Sequence, residues 1–111
     1  MFIEGIDEKN PAYHIEFFGP VFSLYKVDSA EEAIRLANDV EYGLGGAVFS
    51  KDEEKAREVA LQIETGMVFI NDFTKSHWAL PFGGTKASGY GRECGKAGLL
   101  EFTNNKTLAI P

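Results

Sequence analysis

The sequence predicts an α/β fold, a three-layer-like β-α-β-α-β unit, and three observations carry that expectation. Short apolar runs rich in β-branched and aromatic residues recur at residues 21–27 (VFSLYKV), 47–49 (AVF) and 67–71 (MVFIN). Between them lie two stretches with an apolar stripe at the helical period, 29–39 and 51–64. Each stretch opens on a capping signal, Ser29 with Glu32 and Ser50 with Glu53, whose hydroxyl and carboxylate satisfy free amides of a first helical turn.

Taken in order, residues 1–20 read as irregular or short extended chain, punctuated by Pro11, Gly19 and Pro20. A strand follows at 21–27, then a helix from Ser29 to about Asp39 with Ala33, Ile34 and Ala37 on one face. Residues 42–46 (YGLGG) read as a glycine-rich turn, and 47–49 as a short buried strand. The helix at 51–64 places Ala56, Val59, Ala60 and Ile63 at i, i+3, i+4 and i+7. Gly66 is expected to end it in a left-handed conformation. The strand 67–71 leads into a glycine-rich stretch, 72–95, then a short helix at 96–102 and a final strand at 106–110.

The 111 residues fit one domain, with nine Phe available for a core, but so small a domain buries a modest share of its surface and gains from a partner. Eleven basic against 17 acidic residues give a net charge of −6 with no basic cluster, which argues against nucleic acid. A single cysteine, Cys94, forms no internal disulfide and suits a reducing compartment. No run approaches the roughly 18 apolar residues of a membrane span, and residues 1–14 lack the order of a signal peptide. The expected location is the cytoplasm.

Several chemical motifs fail on inspection. Gly89-Tyr90-Gly91 begins a dinucleotide fingerprint, but Cys94 stands where the third glycine belongs, and the run follows a loop. A phosphate-binding loop ending at Gly95-Lys96 would need glycine where Tyr90 is. Cys94 has charged neighbours, Arg92 and Lys96, but no base, and reads as an inert residue near a helix start. His14 and His77 lack metal-ligand spacing, and Trp78 reads as core.

Four segments together resemble the aldehyde dehydrogenase superfamily. They are Glu16-Phe17-Phe18-Gly19-Pro20-Val21, the run YGLGGAVF at 42–49, GMVFIN at 66–71, and PFGGTKASGYGRE at 81–93. They keep the family's order and spacing over nearly the whole chain. Within it, AYHIEFFGPV and IETGMVFIN are most similar to the succinate-semialdehyde dehydrogenases.

The resemblance implies an oxidation of aldehyde to acid, in which a cysteine attacks the carbonyl, hydride passes to a nicotinamide, and a glutamate-activated water releases the acyl group. It places the cysteine, the glutamate, the oxyanion-binding asparagine and the cofactor fold ahead of Met1, so no catalytic residue falls within these 111 residues. NAD or NADP is implied for a full-length enzyme, and binding by this chain alone is not expected.

By the same resemblance, Glu16 matches a glutamate that accepts hydrogen bonds from the nicotinamide ribose, and Phe18 a phenylalanine packed near the nicotinamide. Phe82 matches a wall of the aldehyde tunnel, and Ser76 a serine that bonds the distal carboxylate of semialdehyde substrates, with His77 or Lys75 adding positive charge. Residues 1–104 then form the C-terminal part of a catalytic domain, and 105–111 an oligomerisation strand serving a homo-oligomer. The chain is expected to be inactive alone; the alternative is a non-catalytic module that self-associates or docks onto relatives.

Overall fold

The computed structural model describes Met1–Pro111 and divides into two units, Met1–Glu41 and Tyr42–Pro111. The class is mixed α/β, with six short strands distributed over three two-stranded sheets.

In the first unit, β1 (Phe2–Glu4) pairs in parallel with β2 (Phe22–Leu24), Phe2 opposite Phe22, and the two rings lie 5.5 Å apart. The strand expected over 21–27 is thus confined to three residues, because only those find a partner strand. A short 3-10 helix, Pro11–Tyr13, starts on Asn10, whose side chain accepts from the Ala12 amide, with Pro11 supplying the fixed φ. Helix α1 (Ala30–Asn38) begins where its capping signal lies: Ser29 Oγ accepts from the Glu32 amide at 3.1 Å. The Glu32 carboxylate reaches one residue further back than a standard box and accepts from the Asp28 amide at 3.0 Å. At the other end of α1, the Tyr13 hydroxyl donates to Asp39 at 3.1 Å, joining the 3-10 turn to the helix terminus. Tyr13 is held above its ordinary pKa by desolvation first and by that carboxylate second.

The second unit centres on a β-α-β arrangement. Strand β4 (Gly45–Val48) pairs in parallel with β5 (Met67–Ile70), and α2 (Glu53–Ala60) connects them and packs on both. Strand β3 (Tyr42–Gly43) pairs antiparallel with β6 (Thr85–Lys86), and α3 (Gly95–Leu100) follows. The glycine-rich turn expected over 42–46 therefore shrinks to a bend at Leu44, with Tyr42–Gly43 in one strand and Gly45 and Gly46 in the next.

Helix α2 is shorter than its sequence pattern. Asp52, not Ser50, is the N-cap, accepting from the Lys55 amide at 3.0 Å, while Ser50 accepts from the Asp52 amide in a preceding turn. Beyond Leu61 the amides of Gln62 and Ile63 bond three residues back instead of four, so the last turn tightens and the α-helix stops. Gly66 does not close the helix in a left-handed conformation. Its amide donates to the Gly43 carbonyl at 3.0 Å, and it is needed because a Cβ there would run into the Gly83 carbonyl. Asn71, at φ 54°, ends β5 and accepts from the Ser50 amide at 2.9 Å.

The apolar interior is thin: Ile6 and Ala56 are the only buried hydrophobic residues. The nine Phe do not build a core; Phe2, Phe18, Phe49, Phe73 and Phe102 are each more than two-thirds exposed. The segment 47–49 is not buried, with Ala47 and Phe49 facing solvent, and Trp78 is 81% exposed rather than core. Two-stranded sheets have too little area to cover large side chains. No strand forms over 106–110, where every residue is exposed and no strand lies alongside to accept its amides. No helix is long and apolar enough to cross a membrane.

Candidate functional site

Glu16 and Phe18 share the loop between the 3-10 helix and β2. Phe18 is a non-glycine residue at φ 48° and its ring is 93% exposed. A left-handed phenylalanine costs of order 1 kcal/mol, and here the turn at Gly19, where the Val21 amide bonds the Gly19 carbonyl at 2.7 Å, holds it in place. Glu16 is exposed, and its carboxylate makes no hydrogen bond or ion pair within the chain. An unspent pair of acceptor oxygens beside an outward aromatic ring fits a ligand that offers hydroxyl donors and a flat apolar face.

Ser76 and Phe82 belong to the stretch between β5 and β6. Phe82 is half-buried and forms a two-way bridge with Glu93, the amide of each bonding the carbonyl of the other at 2.8 and 2.6 Å. That bridge folds the stretch 82–93 back on itself. Arg92 holds the loop from inside: its Nη1 donates to the Gly84 carbonyl at 2.8 Å and to the Gly91 carbonyl at 2.7 Å. Its own amide donates to Glu101 at 3.1 Å, so α3 is joined to the same loop. Thr85 donates to the Glu64 carbonyl at 2.9 Å, and Ser88 accepts from the Gly43 amide at 2.9 Å. Phe82 lines a cavity of about 530 Å³ together with Leu44, Ser88, Tyr90 and Arg92.

The sequence reading missed this wiring. Thr85, Ser88 and Arg92 are legible in the sequence only as letters of a motif, whereas Thr85 and Ser88 bond distant backbone at Glu64 and Gly43, and Arg92 ties together two carbonyls of its own loop. The fixed spacing of PFGGTKASGYGRE is the signal that such ties leave behind.

Ser76 is exposed and bonds to nothing within the chain. Lys75 differs from its sequence expectation, for its ammonium is bound to the Asp72 carboxylate and lies 5.3 Å from the Phe73 ring centroid. Asp72 is held below the ordinary carboxylate range by that hydrogen bond first and by the Phe73 amide second. No hydrogen bond joins Ser76 to Phe82.

Cys94 stands at the N-cap of α3 with φ 61° and ψ 167°, half-buried, and its side chain makes no capping bond. No side chain hydrogen-bonds its thiol, although Glu93 and Glu101 line the same cavity, and no group of three or more His, Cys, Asp and Glu converges on a metal position.

Comparison with known proteins places this geometry in a larger setting. The aldehyde dehydrogenase family model matches residues 1–108. The succinate-semialdehyde dehydrogenase [NADP(+)] of Deinococcus radiodurans is 57% identical over 97 residues, covering 87% of this chain and 20% of that protein. A crystal structure of succinic semialdehyde dehydrogenase from Streptococcus pyogenes in complex with NADP+ superposes with a TM-score of 0.93 at 53% identity, over 99% of this chain and 24% of that one. A betaine aldehyde dehydrogenase from Staphylococcus aureus in complex with NAD+ gives a TM-score of 0.86 at 48% identity, over 91% of this chain and 20% of its own. The chain thus spans about a fifth to a quarter of the length of these relatives. With the family model matched almost end to end, and the four motif segments folded into one set of backbone ties and one outward loop, the chain belongs to the aldehyde dehydrogenase family.

Proposed function

We propose that these residues serve as the C-terminal part of the catalytic domain of an NAD(P)-dependent aldehyde dehydrogenase whose substrate is succinate semialdehyde or a close analogue. The observation that carries this reading is the 57% identity to the Deinococcus radiodurans enzyme across 97 residues. The cofactor takes up hydride when bound. The chain's own contribution is positional. Glu16 accepts from ribose hydroxyls, Phe18 presents its exposed ring toward the nicotinamide, and Phe82 gives the substrate passage an apolar wall. Ser76 donates to the distal carboxylate. Residues 105–111 act as a strand that completes its hydrogen bonds on a second subunit of a homo-oligomer, and the single Cys94 suits a cytoplasmic setting.

The nucleophile lies outside the 111 residues, so this chain alone does not turn over aldehyde. The test is a hybrid in which the chain replaces the matching segment of the Deinococcus radiodurans enzyme. NADP-dependent oxidation of succinate semialdehyde by the folded hybrid is expected. A folded hybrid that oxidises no aldehyde, or turnover by the 111 residues alone, would overturn the proposal.

A second reading, a non-catalytic module that self-associates or docks on relatives, is favoured by the exposed apolar side chains, Phe18 and Phe102 among them. A stable, saturable complex of the 111-residue chain, seen by solution mass, together with an inactive hybrid, would select it.

A further inference from the structure

Three polar side chains stand in a row after β5, and the structure gives each a different state. Lys75 is committed to Asp72 and packs against Phe73, so its charge is answered locally. Ser76 is exposed and bonds to nothing in the chain. His77 is fixed on two sides: its ring stacks on Trp78 at 5.6 Å and 26° between planes, and its Nδ1 accepts the Ala79 amide at 3.2 Å. A ring nitrogen that accepts a hydrogen bond carries the lone pair, so the proton of the neutral imidazole sits on Nε2. That Nε2–H has no partner within the chain.

We infer that His77 is a specificity-determining residue, whose Nε2–H donates to the terminal carboxylate of the aldehyde substrate beside the Ser76 hydroxyl. The inference rests on the role proposed above for Ser76. It also replaces a cation with directional donors. A free ammonium at Lys75 would attract any anion as a point charge. Two donors from adjacent residues, one held by a backbone amide and an indole, instead define where a carboxylate must lie. An aldehyde that lacks the carboxylate makes neither bond, and its apolar end laid over the two donors would leave them unpaired, which is what a site uses to reject an analogue. His77 thereby discriminates succinate semialdehyde from an apolar aldehyde of equal length.

The test uses the hybrid enzyme and the ratio of kcat/KM for succinate semialdehyde over that for butanal. His77→Phe keeps a ring to stack on Trp78 but removes the donor, and the ratio should fall about tenfold, the effect of one lost hydrogen bond to a charged group. His77→Gln restores an N–H near the Nε2 position and should keep the ratio within about threefold of the parent. His77→Met gives the same reading as Phe if the Phe variant does not fold. An unchanged ratio in His77→Phe, or an equal fall in His77→Gln, overturns the inference. Ser76→Ala separates the two layers: a fall there with no fall in His77→Phe rejects His77 alone. No fall in either rejects the carboxylate site as a whole.

Discussion

Gly66 and Gly83 meet backbone to backbone: a methyl group on Gly66 would overlap the Gly83 carbonyl oxygen and lie 2.7 Å from its carbon and 3.0 Å from the Gly84 Cα. Neither partner is a flexible side chain that could move aside. Gly66→Ala should therefore cost about 3 kcal/mol, the upper part of the range for overpacking. Urea unfolding of the folded protein measures it, and an unchanged midpoint would mean that the loop at Gly83 withdraws freely.

Arg92 satisfies two carbonyls with one nitrogen, those of Gly84 and Gly91. A lysine ammonium has donors enough for both carbonyls, but it sits on a shorter, flexible stem, is more strongly hydrated and lacks the guanidinium plane that pre-sets the donor directions, so holding both bonds costs it more. Arg92→Lys should lower stability by about 1–2 kcal/mol. Thermal melting reports the loss, and a melting temperature equal to the parent's would show that the clamp is dispensable.

Cys94 occupies a backbone region that is close to glycine's alone, φ 61° with ψ 167°. Relief of that strain outweighs the added freedom of glycine in the unfolded chain. Cys94→Gly should stabilise the fold by about 1 kcal/mol. Chemical denaturation gives the sign, and a destabilised variant would show that the thiol contributes packing greater than the strain.

The Asp72–Lys75 pair has a definite pH signature. The folded carboxyl lies below its ordinary value, 3.8, so the pair's contribution is present above that value and is lost as the pH falls through the depressed one. Carbon NMR of the Asp72 carboxyl should give a midpoint below the ordinary range that rises in Lys75→Met. Identical midpoints in the two proteins would remove Lys75 as the cause.

What the sequence made legible was local. Ser29 and Glu32 announce α1 because both partners of the cap lie within one turn. The stripe of Ala56, Val59, Ala60 and Ile63 marks α2 for the same reason. Its start is ambiguous in the sequence because Ser50 and Asp52 are both competent caps two residues apart, and only the approach of the chain chooses between them. Gly66 resembles a helix-ending glycine in the sequence because its true neighbour, Gly83, is distant along the chain. The site divides in the same way. Glu16, Phe18, Ser76 and Phe82 were nameable only through a resemblance, since nothing in an exposed carboxylate or phenyl ring identifies its ligand. The engagement of Lys75 by Asp72, three residues apart, lay within reach of the sequence, since Asp72 is the only acidic residue between Glu64 and Glu93, but a stretch without a helical pattern does not say that the two side chains meet.

The closure of β4 on β5 through α2 sets an order of assembly. Every pairing this element needs lies within residues 45–70, whereas Tyr42 of β3 finds its partner only at Lys86. Contacts close in sequence form early because their loops cost less entropy to close. On a growing chain the parallel pair would thus take shape while β3 still waits with an open edge for the residues that follow. Pulse-labelled hydrogen exchange during refolding should find the β5 amides protected before that of Lys86, and simultaneous protection would mean that the two sheets form in one step.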